Sequence, residues 1–156
     1  MSRPLALVAL LLITLSWSAA LTAAPRHAAP RVSALTYAGG ALICHQRSER
    51  SFHYEGAQYP VCARCFGLYV GAVGGVLVWA AMAGLGRTPR TRAMRITRPN
   101  VARWVLIISA LPTLVTVVTS WLGWWDGGNV VRAVLAFPLG ATITAVLSAV
   151  ATGDLR

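Results

Sequence analysis

The chain has 156 residues, 56% of them hydrophobic and only 12% charged, about half the charged share of a soluble domain. All 14 basic residues are arginine, against four acids, Glu49, Glu55, Asp126 and Asp154, for a net charge of +10. Long uncharged stretches exclude a water-soluble core. The arginines flanking them read as topology signals rather than as a nucleic-acid surface.

About 20 apolar residues cross a bilayer as a helix, and four segments reach that length, near 5–24, 65–85, 104–122 and 130–151. The expected fold is an all-α integral membrane protein, one membrane domain over 1–156, with a cysteine-rich exoplasmic loop at 37–65. The first segment follows Arg3 and ends in Thr22-Ala23-Ala24. It reads as a retained helix or, alternatively, as a cleaved signal peptide. Either choice leaves the loop after it outside.

Val32 to Ile43 is apolar enough for a short interfacial helix. After it, Phe52 and Tyr54, a turn at Glu55-Gly56, then Tyr59 and Val61 alternate as a small hairpin does. Such a hairpin folds Cys62 back toward Cys44. Pro60 is expected to open the second span, with Cys62 and Cys65 in its first turn at i and i+3, on one face.

All three cysteines, Cys44, Cys62 and Cys65, and two of the three histidines, His45 and His53, lie in this stretch. Three thiols and one imidazole match a tetrahedral Cys3His site, for zinc first and iron second. A helix N-terminus with Arg64 beside it favours the thiolates that metal binding requires. The histidine is His45 or His53; adjacency to Cys44 makes ligation by His45 awkward. Two other readings stay open. A Cys-x-x-Cys at a helix N-terminus also suits a membrane thiol-disulfide oxidoreductase using Cys62 and Cys65, with Cys44 as a third exchanging thiol. The plainer one is a single structural disulfide and a spare thiol.

Gly67, Gly71 and Gly75 follow at spacing four, a face on which another helix packs closely, within the bundle or in an oligomer. The next loop carries Arg87, Arg90, Arg92, Arg95, Arg98 and Arg103 with no acid. By the positive-inside rule it is cytoplasmic, as are both termini, in the cell inner membrane. It lacks the interleaved aromatic residues of a single-strand nucleic-acid site and suits anionic inner-leaflet lipids. Trp79 and Trp104 are expected at the inner interface, and Trp121, Trp124 and Trp125 at the outer one. Pro112 and Pro138 fall inside the last two spans, where each removes a backbone hydrogen bond and is expected to kink its helix.

The turn Trp125 to Asn129 leads into the last span, with Asn129 as the expected N-cap and Arg132 in the first helical turn. An arginine there opposes the helix dipole and needs an anion, Asp126 or a lipid phosphate. Arg64 holds the same position on the second span. Arg64, Asp126, Asn129 and Arg132 therefore form a candidate site for an anionic lipid head group; taken singly, each arginine is also explained by snorkelling to the interface. No hydrolase triad or close pair of carboxylates is visible, so no reaction is assigned. The ligand and any protein partner are open.

Cys44-His45-Gln46, Glu49-Arg50-Ser51-Phe52, and the run from Pro60 through Cys62-Ala63-Arg64-Cys65 to Tyr69 and Gly71 resemble the bacterial and archaeal membrane proteins catalogued as domain of unknown function 2085. The resemblance spans about Tyr37 to Gly140 and includes a later Asn-x-x-Arg, matched by Asn129 and Arg132. Phe66, where many members have threonine, and the compact Asp126-Gly127 turn depart from the pattern. The resemblance implies a multi-spanning membrane protein and carries over no activity.

Overall fold

The computed structural model describes residues 3–26, 29–84 and 99–152. Five α-helices and one hairpin are found among them: α1 (Arg3–Ala23), α2 (Pro30–Ile43), a 3-10 turn (Ser48–Arg50), β1 (Ser51–Tyr54), β2 (Ala57–Cys62), α3 (Ala63–Gly84), α4 (Pro99–Trp121) and α5 (Gly128–Ala151). Four helices are long and apolar enough to span a bilayer, at Leu5–Ala23, Ala63–Met82, Asn100–Trp121 and Gly128–Ala151. The protein is an all-α membrane protein. The arginine-dense stretch from Arg87 to Arg98 lies outside the described residues.

The tightest pairing is between α3 and α5, which run parallel. A Cβ on Gly67 would overlap the backbone of Ala133, one on Gly71 that of Phe137, and one on Gly75 that of Ala141. From the other side, a Cβ on Gly140 would overlap Leu68. Without side chains at these positions the two backbones approach closely and gain dispersion contacts that lipid cannot replace. The Thr144 hydroxyl adds an interhelical bond to the Ala72 carbonyl at 2.8 Å. Of the two expected uses of the Gly67, Gly71 and Gly75 face, the structure shows packing within the bundle, against the last helix of the same chain.

Around this pair, α1 packs through Trp17 edge-on to Tyr69, with centroids 6.0 Å apart, and Ser18 donates to the Tyr69 carbonyl at 3.2 Å. Helix α4 is tied to α5 by the Thr113 hydroxyl on the Leu135 carbonyl, 2.9 Å. Pro112 and Pro138 lie within helices assigned as continuous through them. Trp79 is 3% exposed, and its indole N–H has no partner among the described residues. It is a packing residue between helices, which corrects its expected place in an interfacial belt. Trp104, Trp121, Trp124 and Trp125 are exposed on the bundle.

This connectivity brings the ends of α1 and α4 and the starts of α3 and α5 to one end of the bundle. The hairpin and α2 cover that end.

Candidate metal and anion site

The hairpin turns at Glu55 (φ 49°) and Gly56 (φ 83°), the paired positive φ values of a two-residue type I′ turn. Its strands pair Tyr54 with Ala57 and His53 with Gln58, then shift register before Ser51 meets Cys62. The irregularity falls around Pro60, which has no N–H for the ladder. Pro60 is therefore a strand residue and not the first residue of the span, a correction to the expected helix start. Phe52, Tyr59 and Phe66 form an edge-to-face triad with centroids 5.6 to 6.2 Å apart, which fixes the hairpin on the start of α3.

Gln46 organises the loop. Its side-chain amide donates to the carbonyls of Tyr37 at 2.9 Å and Pro60 at 2.7 Å, while its own carbonyl accepts from Gln58 at 2.6 Å. The Tyr37 hydroxyl closes the circuit on the Gln58 carbonyl. Gly40 lies beneath, where a Cβ would overlap the Pro60 carbonyl. Helix α2, the Cys44-His45-Gln46 segment and β2 are thus locked together. As a result Cys44 Sγ accepts the Cys62 N–H at 3.1 Å.

The Sγ atoms of Cys44, Cys62 and Cys65 all lie within 4.8 Å of one another, and the thiols are unpaired. Three sulfurs around zinc at about 2.3 Å would be separated by about 3.8 Å, so a small closure suffices for the set to hold a metal ion. Cys62 stands just before α3 rather than inside its first turn, which corrects the expected placement. That position explains its acidity. A hydrogen bond from the Cys65 thiol is the largest influence, and bonds from the backbone N–H groups of Cys65 and Arg64 and from Cys44 add to it. Against the opposing effect of burial, they hold Cys62 down at about 5. It is a thiolate capping a helix N-terminus.

Neither His45 nor His53 contributes a donor atom to the sulfur cluster. His53 Nε2 pairs with the Ser48 hydroxyl at 3.1 Å. His45 lines the cavity beside the cysteines.

That cavity, about 520 Å³, is walled by the three cysteines together with Arg47, Arg50, Arg64 and Arg132, with Ile43 and Trp121 as its apolar rim. Arg64 turns inward, donating through Nη2 to the Thr116 carbonyl at 2.8 Å and so binding α3 to α4. Arg132 is 3% exposed. It forms an ion pair with Asp126 and donates through Nη1 to Asn129 Oδ1 at 3.0 Å, while its buried Nε has no partner among the described residues. Burial and the Asp126 pair exclude simple snorkelling for Arg132, whereas Arg64 is half-buried.

Asn129 is not the N-cap, a correction to that expectation: α5 begins at Gly128, whose φ of 71° suits glycine, and Gly127 precedes it. Asn129 lies within the first turn. Its amide donates to the Ser51 carbonyl at 2.9 Å while its oxygen receives Arg132. The i, i+3 spacing of Asn129 and Arg132 joins α5 to the hairpin. Gln46, Gln58, Gly40 and Thr116 have structural roles that the sequence did not signal, because their partners are distant in sequence and none belongs to a metal-ligand pattern.

The family described as predicted membrane protein, domain of unknown function 2085, matches residues 44–146. An uncharacterised protein of Methanocaldococcus jannaschii is 34% identical over 112 residues, 72% of this chain and 65% of that protein. Another, from Methanothermobacter thermautotrophicus, is 31% identical over 108 residues, 67% of this chain and 86% of that protein. The chain thus spans just under two thirds of the first relative. No solved structure matches. The chain belongs to this family of membrane proteins, whose matched region includes the whole sulfur and arginine cluster.

Proposed function

We propose that this family member holds a zinc ion through Cys44, Cys62 and Cys65 at the exoplasmic face of the cell inner membrane, with both termini cytoplasmic. The observation that carries this reading is the meeting of three thiols from three chain segments, the end of α2, the end of β2 and the first turn of α3, within 4.8 Å. Zinc is favoured over iron because it tolerates a three-coordinate protein site with an exchangeable fourth ligand. The cavity beside the sulfurs provides room for that ligand, and His45 is among the residues on its wall. The metal braces the hairpin against α2 and α3 and presents an electrophilic centre to whatever enters the cavity.

Metal analysis of detergent-purified protein tests it. The expected result is one zinc per chain, lost in Cys44→Ser, Cys62→Ser and Cys65→Ser. Protein without metal above background, whose three thiols alkylate freely, overturns it.

One observation supports a second reading. Cys62, held at about 5 by hydrogen bonding from Cys65, has the acidity of the attacking thiol in a Cys-x-x-Cys oxidoreductase. In that role the Cys62 thiolate attacks a partner disulfide and Cys65 resolves the mixed disulfide, passing two electrons to the partner. Cys65→Ser is then expected to trap a covalent adduct. Its absence from cells expressing the variant removes this reading.

A further inference from the structure

The arginines around the sulfurs carry an inference that goes beyond metal binding. Four arginines, Arg47, Arg50, Arg64 and Arg132, line one cavity whose described lining contains no carboxylate. They come from the loop after α2, the 3-10 turn, α3 and α5, so helical periodicity does not explain their meeting. Such a like-charge cluster is unfavourable unless an anion fills it.

Arg132 gives the most specific sign. A guanidinium that is 3% exposed has two of its nitrogens engaged, by Asp126 and Asn129, and its buried Nε has no partner among the described residues. A guanidinium this buried with one carboxylate beside it is costly to hold charged, and an oxyanion in the adjoining cavity offsets that cost through charge-assisted hydrogen bonds from the arginines that line it. The charges also point to a particular anion. Four arginines, set against Asp126 and the Cys62 thiolate, leave two positive charges. That balances a phosphate monoester dianion.

We infer that the cavity is a phosphate-binding site, with Arg132 and Arg50 as its main donors. The phosphate is either free or the head group of a phosphomonoester lipid whose chain leaves past Ile43 and Trp121. The site is built by arginines and does not require the metal, although a bound zinc would face the same anion.

The test uses the full-length protein in nanodiscs, with inorganic phosphate as one probe and phosphatidic acid at fixed mole fraction in phosphatidylcholine as the other. Saturable binding of either, weakened about tenfold or more in Arg50→Gln and in Arg132→Lys, is expected from the loss of one charge-assisted contact. Binding of phosphate alone assigns a free-anion site; preference for phosphatidic acid assigns a lipid site. Arg50, on the 3-10 turn, remains informative if Arg132→Lys fails to fold. Zinc content measured on the same samples separates the two readings: the arginine variants keep their metal, and Cys44→Ser loses metal while retaining phosphate binding. The inference is overturned if neither probe binds, if both arginine variants bind as wild type does, or if binding disappears on zinc chelation alone.

Discussion

Replacing Gln46 with alanine isolates the device that brings the cysteines together. The substitution removes two donors, to the Tyr37 and Pro60 carbonyls, and leaves the backbone acceptance from Gln58 in place. Pro60 is almost fully buried, so water cannot readily replace the bond at its carbonyl. A buried acceptor left bare costs about 1–3 kcal/mol, and the more accessible Tyr37 bond adds about 0.5–1.5 kcal/mol. Because Gln46 is itself half-buried, water entering the vacated space repays part of this, and about 2 kcal/mol is the expected net loss. The loss is local, since Gln46 touches no spanning helix in this network. Hydrogen–deuterium exchange of detergent-solubilised, metal-free protein reads it directly. Amides of Ala57–Cys62 should exchange roughly 30-fold faster, the Boltzmann equivalent of 2 kcal/mol, while those of α3 and α5 keep their protection. Exchange within about threefold of wild type in β2, or an equal loss in the spanning helices, refutes the reasoning.

Gly71→Leu should separate α3 from α5, because its side chain meets the Phe137 backbone and has no flexible neighbour to displace. A destabilisation of about 1–3 kcal/mol is expected as a lower midpoint in SDS titration, and an unchanged midpoint contradicts the parallel pairing. In metal-free protein, alkylation of Cys62 by iodoacetamide should remain fast down to pH 6 and fall with a midpoint near 5. Because its folded value lies below the ordinary 9.0, the associated stabilisation is complete above pH 9 and is lost as pH falls toward 5. A rate midpoint above 8 shows that the helix N-terminus does not hold a thiolate. Asn129→Ala removes the bond to Ser51 and one partner of Arg132 together. It should cost about 2 kcal/mol and speed exchange in β1 without affecting α1, as hydrogen–deuterium exchange would show.

Different physical causes decided how much of this was legible in the sequence. The spans were readable because bilayer thickness sets a length and lipid sets a composition, both local properties. The hairpin was readable because alternation and the Glu55-Gly56 turn are local too, and with it the approach of Cys62 to Cys44. The start of α3 was misplaced because Pro60 suits a helix start and a strand irregularity equally well; the choice was made by Gln46, fourteen residues away, binding its carbonyl. Trp79 was misplaced because composition alone cannot distinguish a tryptophan at an interface from one packed between helices.

The glycine face was visible as a close-packing surface, but nothing local identified α5 as its partner. That pairing bears on the site as well as on stability. The parallel register that seats Gly67 on Ala133 also sets the starts of α3 and α5 side by side, with Arg64 in the first turn of α3 and Arg132 just beyond the first turn of α5, one residue later than expected. Glycine spacing in the membrane therefore determines the separation of two guanidinium groups at its surface. Widening the helix pair at Gly67 would move Arg132 away from the sulfurs without altering any residue of the cavity. The bundle and the site are thus one mechanical unit, in which small residues at spacing four position charges one turn away.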